Sequence, residues 1–187
     1  LAEGVAPALI ENAGRMAGMP VGPLAISDEV SIELMYKINK QTEKDTGKQY
    51  KGKAVNIVNR FIEEFKRPGK KDMMGFYEYP QGGKKYIWPQ LADYYPKTDN
   101  QPAVDEIKKR LLYIQAIESA KAMQENVITC PEDADIGSIL GIGFPPFTGG
   151  VMSFIDSIGL DQFVSNCNEL ASKYGSRFDP LQLDEVV

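Results

Sequence analysis

The sequence contains no histidine among its 187 residues. Histidine is the usual general base near neutral pH, and it orients most nucleophilic triads. The chain therefore cannot use Ser-His or Cys-His chemistry, and catalysis by the chain alone would need a tuned carboxylate, lysine or tyrosine. We predict that it contains no catalytic residue of its own.

Cysteine is also scarce, since Cys130 and Cys167 are the only two and they show no paired spacing. A disulfide between them stays open, but a reducing cytoplasm is the simpler interpretation. Two cysteines without a histidine do not supply the ligands of a structural zinc site. We predict no metal site.

The chain lacks a basic excess and long apolar runs. Its net charge is −5 and its pI is about 4.9, whereas nucleic-acid backbones require a basic face. No apolar run is long enough to span a bilayer, and no signal peptide is visible at Leu1. We therefore predict no nucleic-acid partner, no membrane span and a cytoplasmic location. The content of 43% hydrophobic and 25% charged residues is that of a globular protein.

Hydrophobic periodicity predicts mostly helices. Apolar residues recur every four positions after Pro23, which predicts one helix to about Gly47 with a buried stripe of Ile26, Val30, Leu34 and Ile38. The longest helix is predicted over 104–127, and others over 5–13 and 154–173. Another short helix is expected to follow a capping box of Thr129 and Glu132 and to bury Ile136, Ile139 and Leu140. A last turn is expected within 180–187.

Aromatic residues in 76–88, with proline and glycine between them, predict a small hairpin or extended clip. Its aromatic side chains (Phe76, Tyr77, Tyr79, Tyr86 and Trp88) are expected to pin the clip to the helices, and an exposed binding patch is the alternative. Residues 93–102 are rich in proline and tyrosine, which predicts a linker.

The two halves of the chain resemble each other. Residues 27–33 align with 155–161 through an aspartate, a branched apolar residue, a small residue and a final acid. Each copy follows a short helix and a Gly-x-Pro loop, at Gly18 and Gly143. This order predicts a duplicated helical unit. The first copy is expected to lack most of its opening long helix through truncation at Leu1.

Three segments carry a family resemblance. Residues 18–28 resemble the Gly-x-Pro-Met-Gly-Pro signature of 3-hydroxyacyl-CoA dehydrogenase carboxy-terminal domains, with Val21 in place of methionine. Residues 69–79 are similar to the Gly-Phe-Tyr-x-Tyr clip of that family. Residues 131–156 resemble the second copy that multifunctional β-oxidation enzymes carry.

The resemblance implies an all-α fold of two related helical units, like the carboxy-terminal part of 6-phosphogluconate dehydrogenase, with a small clip between them. We expect a first unit over 1–97 and a second over 98–187. It also implies a role as part of an NAD-dependent oxidoreductase that converts 3-hydroxyacyl-CoA to 3-ketoacyl-CoA in fatty-acid metabolism. The catalytic histidine and glutamate, and the NAD site, would lie in a preceding dinucleotide-binding domain. The chain alone is then expected to bind no cofactor and to be inactive.

The implied partners are the acyl-CoA substrate and the chain's own dinucleotide-binding domain, with a homo-oligomer or a thiolase as further candidates. The predicted substrate-binding residues are Met19, Pro20, Val21, Gly22 and Pro23, whose apolar side chains on a stiff loop suit an acyl wall. A tight interhelix turn packed on its own core is the alternative for this loop. The alternative function is a non-enzymatic helical dimerisation or docking module.

Other polar groups favour structural roles. Asp28 and Asp156 are expected to stabilise helix N-termini rather than to act as acids. The six cations around the clip (Lys66, Arg67, Lys70, Lys71, Lys84 and Lys85) could meet coenzyme A phosphates but are expected to form a solvated face. The glycine-rich loop 141–150 lacks the Gly-Lys-Ser/Thr of a phosphate loop, so an apolar turn is expected there.

Overall fold

The structure is a computed structural model that describes residues 1–49 and 51–180. Helices dominate the described residues, which confirms the all-α fold class. The helices are α1 (Pro7–Met16), α2 (Pro23–Val30), α3 (Ile32–Thr46), α4 (Lys53–Glu63), α5 (Leu91–Tyr94), α6 (Val104–Gln124), α7 (Pro131–Ile142), α8 (Val151–Ile158) and α9 (Leu160–Tyr174). The turn expected within 180–187 lies outside the described residues, except for Pro180. None of the described helices is long and apolar enough to cross a membrane.

The chain forms two compact units. Unit 1 comprises Leu1–Asn12 and Val21–Pro102, and unit 2 comprises Ala13–Pro20 and Ala103–Val187. Each has its own hydrophobic core. The core of unit 1 is centred on the buried Phe61, and that of unit 2 on Ile117, Phe144 and Phe163.

The predicted clip is present in unit 1 as a small hairpin. Strand β1 (Tyr77–Glu78) pairs antiparallel with β2 (Tyr86–Ile87), with Tyr77 opposite Ile87. The Phe61 ring lies 4.2 Å from the Phe76 ring, and Trp88 is also buried. The prediction that the aromatic residues pin the clip is therefore confirmed for Phe76, Tyr77 and Trp88. It is wrong for Tyr86, whose side chain is exposed.

The helix predicted from Pro23 to Gly47 is broken at Ser31. Ser31 has φ 85°, outside the helical region, and its Oγ accepts a hydrogen bond from the Leu34 amide at 3.3 Å to begin α3. Gly47 ends α3 in the left-handed conformation with φ 65°, close to the predicted end.

The predicted duplication is visible as a matching helix pair in unit 2. Helices α2 and α8 both have eight residues, and α3 and α9 both have fifteen. The break between α8 and α9 falls on Gly159, whose φ is also 85°. The single helix expected over 154–173 is therefore wrong for the same reason as in unit 1: one residue with positive φ turns the chain.

The stripe predicted to be buried along α2 and α3 is instead exposed. Its four members have exposed fractions between 38% and 55%. The turn at Ser31 redirects the second half of the segment, so Leu24, Ala25 and Ile32 enter the core instead. The buried face predicted for α7 is wrong as well. Leu140 is 81% exposed and Ile136 is also exposed, while Ala134 and Ser138 are buried.

Two predicted helix ends also differ from the structure. Helix α1 continues past Gly14 to Met16, and Gly18 follows with φ 98°. The capping box at the start of α7 is wrong, because Cys130 occupies the N-cap position without a side-chain cap. The Cys130 thiol instead donates to Glu132 Oε2 at 2.7 Å.

The linker residues close unit 1. The Thr98 amide donates to the Gly4 carbonyl at 2.9 Å. Gln101 accepts from the Ala6 amide at 2.8 Å and donates through Nε2 to the Gly4 carbonyl at 2.9 Å. The first residues of unit 1 and its last residues, near Pro102, are therefore held side by side.

Candidate functional site

The predicted substrate loop, Met19–Pro23, connects α1 to α2. Met19 is half-buried, Pro20 is exposed, and Gly22 is buried. Pro23 is the first residue of α2, where a proline loses no helical hydrogen bond. The loop therefore presents apolar groups from a backbone that both flanking helices constrain.

Glu11 of α1 holds the end of this loop through hydrogen bonds. Its side chain is only 3% exposed, and its Oε1 accepts hydrogen bonds from the amides of Leu24 (2.5 Å) and Ala25 (3.3 Å). These amides belong to the first turn of α2, which has no partner for them within the helix. A Cβ on Gly22 would collide with the Glu11 carboxylate, so a side chain is excluded there. Glu11 thus acts as the N-terminal cap of α2 from another helix.

A second buried carboxylate, Asp28, holds the clip. It is 1% exposed and accepts from the amides of Phe76 at 2.7 Å and Tyr77 at 2.9 Å. The Tyr79 hydroxyl donates to it at 2.9 Å. Tyr77 links the two carboxylates, because its hydroxyl donates to Glu11 Oε2 at 2.7 Å.

The prediction that Asp28 stabilises the N-terminus of its own helix is wrong. Asp28 is the sixth of the eight residues of α2, far from the free amides of the first turn. Burial raises the pKa of Asp28, and the hydrogen bonds from Phe76, Tyr77 and Tyr79 oppose that rise. Burial next to Asp28 also raises the pKa of Tyr79.

Arg67 secures the other side of the clip. It is 7% exposed and donates to the carbonyls of Gly75 (2.7 Å) and Tyr77 (3.1 Å). Its guanidinium also pairs with Glu78 at 2.9 Å and lies 4.3 Å from the Trp88 ring centre. The predicted solvated face is therefore wrong for Arg67, because its planar fork satisfies two buried carbonyls at once.

The remaining cations around the clip lie at the surface. Lys70 and Lys85 both approach Glu29, at 3.1 and 3.8 Å. Lys66, Lys71 and Lys84 are exposed. Exposed lysines of this kind are typical of a solvated face.

In unit 2, Asp135 takes the place of Glu11. Its carboxylate accepts from the amides of Met152 (2.7 Å) and Ser153 (3.2 Å), and from the Ser153 hydroxyl at 2.6 Å. A Cβ on Gly150 would collide with Asp135, as one on Gly22 would with Glu11. Glu11 therefore caps α2 and Asp135 caps α8, in each case from the preceding helix.

Asp156 shows that only part of the site is duplicated. It occupies the position in α8 that Asp28 has in α2, but it is exposed. Unit 2 has no clip among its described residues, so the aspartate has nothing to hold. The capping role expected for Asp156 is wrong as well, since it is the sixth residue of α8.

The glycine-rich segment 141–150 forms an apolar turn, as expected. Gly143 ends α7 with φ 72°, and Phe144 and Pro145 are buried. Cβ positions built on Gly18 lie 2.7 Å from Phe147 and 2.9 Å from Pro145. Gly18 therefore packs closely against side chains of this turn.

Glu11 and Asp135 were not predicted as site residues, and Arg67 was predicted only as part of a solvated face. A signal for the two acids was present, because each stands four residues after a proline that begins a helix and is followed by a glycine before the next helix. Arg67 gave no such signal, since it stands beside Lys66 in a run of charge.

The comparisons agree with this architecture. The family model for the 3-hydroxyacyl-CoA dehydrogenase C-terminal domain matches residues 1–79. The fatty acid oxidation complex subunit alpha of Shewanella halifaxensis is 36% identical over 184 residues, which cover 96% of this chain and 25% of that protein. Residues 1–79 are thus similar to 3-hydroxyacyl-CoA dehydrogenase C-terminal domains, and almost the whole chain is similar to the alpha subunit.

A second relative is also similar to almost the whole chain. The alpha subunit of Shewanella oneidensis is 33% identical over 186 residues, which cover 97% of this chain and 26% of that protein. The chain thus spans about a quarter of the length of these relatives. The second unit is therefore part of the same similarity, beyond the residues that the family model matches.

Solved structures of dehydrogenases share the fold. The 3-hydroxybutyryl-CoA dehydrogenase of Escherichia coli K12 matches with a TM-score of 0.64 and 17% identity, over 98% of this chain and 54% of that one. The dehydrogenase part of multifunctional enzyme 1 from C. elegans matches with a TM-score of 0.65 and 22% identity, over 98% and 43%.

The glycine pair Gly141 and Gly143 does not form a dinucleotide fingerprint. Gly141 and Gly143 lie at the end of α7, whereas the dinucleotide fingerprint requires a strand before the glycines and a helix after them. No group of three metal-ligating side chains lies together within residues 1–49 and 51–180. The buried carboxylates of Glu11 and Asp28 each accept three hydrogen bonds from the protein.

Proposed function

We propose that the chain is the carboxy-terminal part of an NAD-dependent 3-hydroxyacyl-CoA dehydrogenase of fatty-acid β-oxidation. The whole enzyme would oxidise 3-hydroxyacyl-CoA to 3-ketoacyl-CoA. The observation that carries the proposal is similarity to fatty acid oxidation complex alpha subunits along almost the entire chain. Because the chain has no histidine and its buried acids bind backbone amides, the hydride chemistry belongs to another domain.

In this proposal NAD is bound by a dinucleotide-binding domain of the whole enzyme, and this chain takes no cofactor itself. A homo-oligomer or a thiolase is a further partner, and the location is cytoplasmic. The domain division proposed from the sequence, 1–97 and 98–187, separates the first dehydrogenase unit from the second.

The Met19–Pro23 loop is proposed to line the acyl chain of the substrate. Its support is chemical and geometric. Met19 and Val21 are half-buried apolar side chains, and the Glu11 cap fixes the backbone at Gly22. A preset apolar wall suits an acyl chain, which offers no hydrogen-bonding groups.

Two experiments test these proposals on the purified chain. The first mixes it with acetoacetyl-CoA and NADH and follows NADH absorbance. No turnover is expected, and hydride transfer by the chain alone would overturn the assignment of the chemistry to another domain.

The second experiment titrates the chain with a long-chain acyl-CoA by calorimetry, with free coenzyme A as the control ligand. Binding that requires the acyl chain is expected, and it should weaken in Met19→Gln. The control is Met73→Gln, because Met73 is an exposed methionine outside the loop. Equal heats for both ligands, or equal loss in both variants, would refute the role of the loop.

The alternative is a helical docking module without a ligand of its own. The exposed apolar residues of α2 and α3 favour this alternative, since exposed apolar side chains are available for docking. Absence of acyl-dependent binding together with tight self-association would select it.

A further inference from the structure

Tyr77 of the clip is fixed through its backbone and through its side chain. Its amide donates to Asp28 Oδ2 at 2.9 Å, and its carbonyl accepts from Arg67 Nη2 at 3.1 Å. The residue is only 6% exposed, and its hydroxyl donates to Glu11 Oε2 at 2.7 Å. Tyr77 is therefore a rigid connection between the clip and the acid that caps α2.

The Glu11 carboxylate divides its hydrogen bonds between two parts of unit 1. Its Oε1 accepts from the amides of Leu24 and Ala25, whereas its Oε2 accepts from the Tyr77 hydroxyl. A Cβ on Gly22 would collide with Oε2, so the backbone of Gly22 lies against the oxygen that Tyr77 holds. A buried carboxylate oxygen without a donor is costly. Loss of the Tyr77 hydroxyl would therefore force the carboxylate to rotate, or Gly22 to move aside for a water molecule.

Unit 2 satisfies the matching acid from within the capped helix. Asp135 is the fifth residue of α7, as Glu11 is the fifth residue of α1. Its carboxylate accepts from the hydroxyl of Ser153, the third residue of α8, at 2.6 Å. The third residue of α2 is Ala25, which has no hydroxyl, and Glu11 instead binds the hydroxyl of Tyr77, 66 positions away. The cap of α2 therefore depends on the clip, whereas the cap of α8 is local.

We infer that Tyr77 is a positioning residue for the substrate loop and that it acts on this loop through Glu11. The Tyr77 hydroxyl holds the carboxylate, and the carboxylate holds the first turn of α2 and the backbone at Gly22. Val21 and Pro23 flank that glycine. The inference rests on the proposed role of the loop in lining the acyl chain. An intact clip then raises the affinity for the acyl part of the substrate, because it presets the loop in the shape that the acyl chain meets.

Amide exchange measured by NMR on the 187-residue chain tests the link directly. Tyr77→Phe removes only the hydroxyl, and the exchange of the Leu24 and Ala25 amides should accelerate by about tenfold, as expected for the loss of one buried hydrogen bond. Tyr79→Phe is the matched control. It removes a hydroxyl of the same clip that donates to the other buried carboxylate, and it leaves the hydrogen bonds of Glu11 in place. The same two amides should therefore keep their exchange rates in this control.

A second variant separates the lost hydroxyl from any other effect of the phenylalanine. Adding Ala25→Ser to Tyr77→Phe places a hydroxyl at the third residue of α2, where Ser153 stands in α8. This hydroxyl can donate to Glu11 Oε2, so the exchange of the first amides of α2 should return to within about twofold of its original rate. Trp88 fluorescence checks for each variant that unit 1 remains folded.

Calorimetry connects the inference with the substrate. Each variant is titrated with a long-chain acyl-CoA and with free coenzyme A. Tyr77→Phe should weaken the binding that depends on the acyl chain by about tenfold, and Tyr79→Phe should leave it unchanged. A general loss of stability would instead weaken binding in both variants alike. If the unchanged chain shows no acyl-dependent binding, the proposed role of the loop is refuted, and amide exchange alone decides whether Tyr77 holds the loop.

Four results would overturn the inference. One is unchanged exchange of the Leu24 and Ala25 amides in Tyr77→Phe, and another is equal acceleration in Tyr77→Phe and Tyr79→Phe. The third is exchange that stays fast after Ala25→Ser is added to Tyr77→Phe, since the hydroxyl would then not be the group that holds the cap. The fourth, in a chain that binds acyl-CoA, is an acyl affinity that Tyr77→Phe leaves unchanged.

Discussion

Replacing Asp28 with alanine should release the clip and destabilise unit 1. The change removes the acceptor of the buried Phe76 and Tyr77 amides and of the Tyr79 hydroxyl. An unpaired buried amide costs about 1–3 kcal/mol, so two cost roughly 2–6 kcal/mol. Removing a carboxylate whose charge is penalised by burial returns part of this. We expect the free energy of unfolding of unit 1 to fall by about 2–4 kcal/mol.

The assay can report on unit 1 alone. Trp88 is the only tryptophan of the sequence, and it is buried in unit 1 against Arg67. Urea unfolding followed by tryptophan fluorescence therefore measures the unit that contains Asp28. Hydrogen exchange of the Phe76 and Tyr77 amides should accelerate in the same variant, since both lose their acceptor.

Asp156→Ala provides the control. It removes the same side chain from the matching position of α8, where it is exposed, and surface changes of this kind usually stay within about 0.5 kcal/mol. The reasoning is refuted if Asp28→Ala costs less than about 1 kcal/mol, or if the Phe76 and Tyr77 amides keep their protection.

Three further predictions concern single groups. Burial raises the pKa of Asp28, so the folded chain binds its proton more tightly than the unfolded chain does. The advantage of the unchanged chain over Asp28→Asn in free energy of unfolding should therefore shrink as pH rises above the ordinary aspartate pKa of 3.8. Urea midpoints of the two chains that run parallel across a series of pH values would contradict this. Gly159→Ala should lower the stability of unit 2 by about 1–2 kcal/mol through its φ of 85° alone, since a Cβ there meets nothing within 4 Å; unchanged hydrogen exchange in α8 and α9 would argue against it. Burial raises the pKa of the Cys167 thiol to about 12, so a disulfide reagent at pH 8 should label Cys130 first and Cys167 only on unfolding, and rapid labelling of both would show that Cys167 is accessible.

The sequence predicted the fold class, the duplication and the clip because these rest on local signals. Helical periodicity, prolines at helix starts and the aromatic run at 76–88 each specify structure over a few residues. The family resemblance then joined these pieces into a known architecture. The comparisons support that assignment over almost the whole chain.

The sequence failed where one residue redirects the chain. Ser31 adopts a positive φ that serine rarely takes. Because nothing in the sequence indicates this φ, the periodicity before and after Ser31 predicted one continuous helix. The stripe was then expected to be buried, although only the turn decides which face enters the core. Gly159 carried a clearer signal for a break, since glycine adopts this conformation without strain.

Most of the candidate site could not be predicted from the sequence either. Asp28 and Phe76 are separated by 48 positions, and Glu11 and Tyr77 by 66. Nothing local indicates that an acid in one helix will accept amides from a distant hairpin. The Met19–Pro23 loop was found through the resemblance, and its role in substrate binding stays a prediction.

The clasp of Gly4 and Ala6 by Thr98 and Gln101 has a consequence for how unit 1 could be handled by engineering. Two positions of a chain that adjoin can be joined by a short peptide, and the chain can then be opened elsewhere. The 2.9 Å bond between the Thr98 amide and the Gly4 carbonyl means that a short peptide would span these positions. The stretch from Gly4 to Thr98 therefore suits circular permutation, with residues 13–20 of unit 2 kept within it and the exposed turn at Gly82 offering a place for new termini.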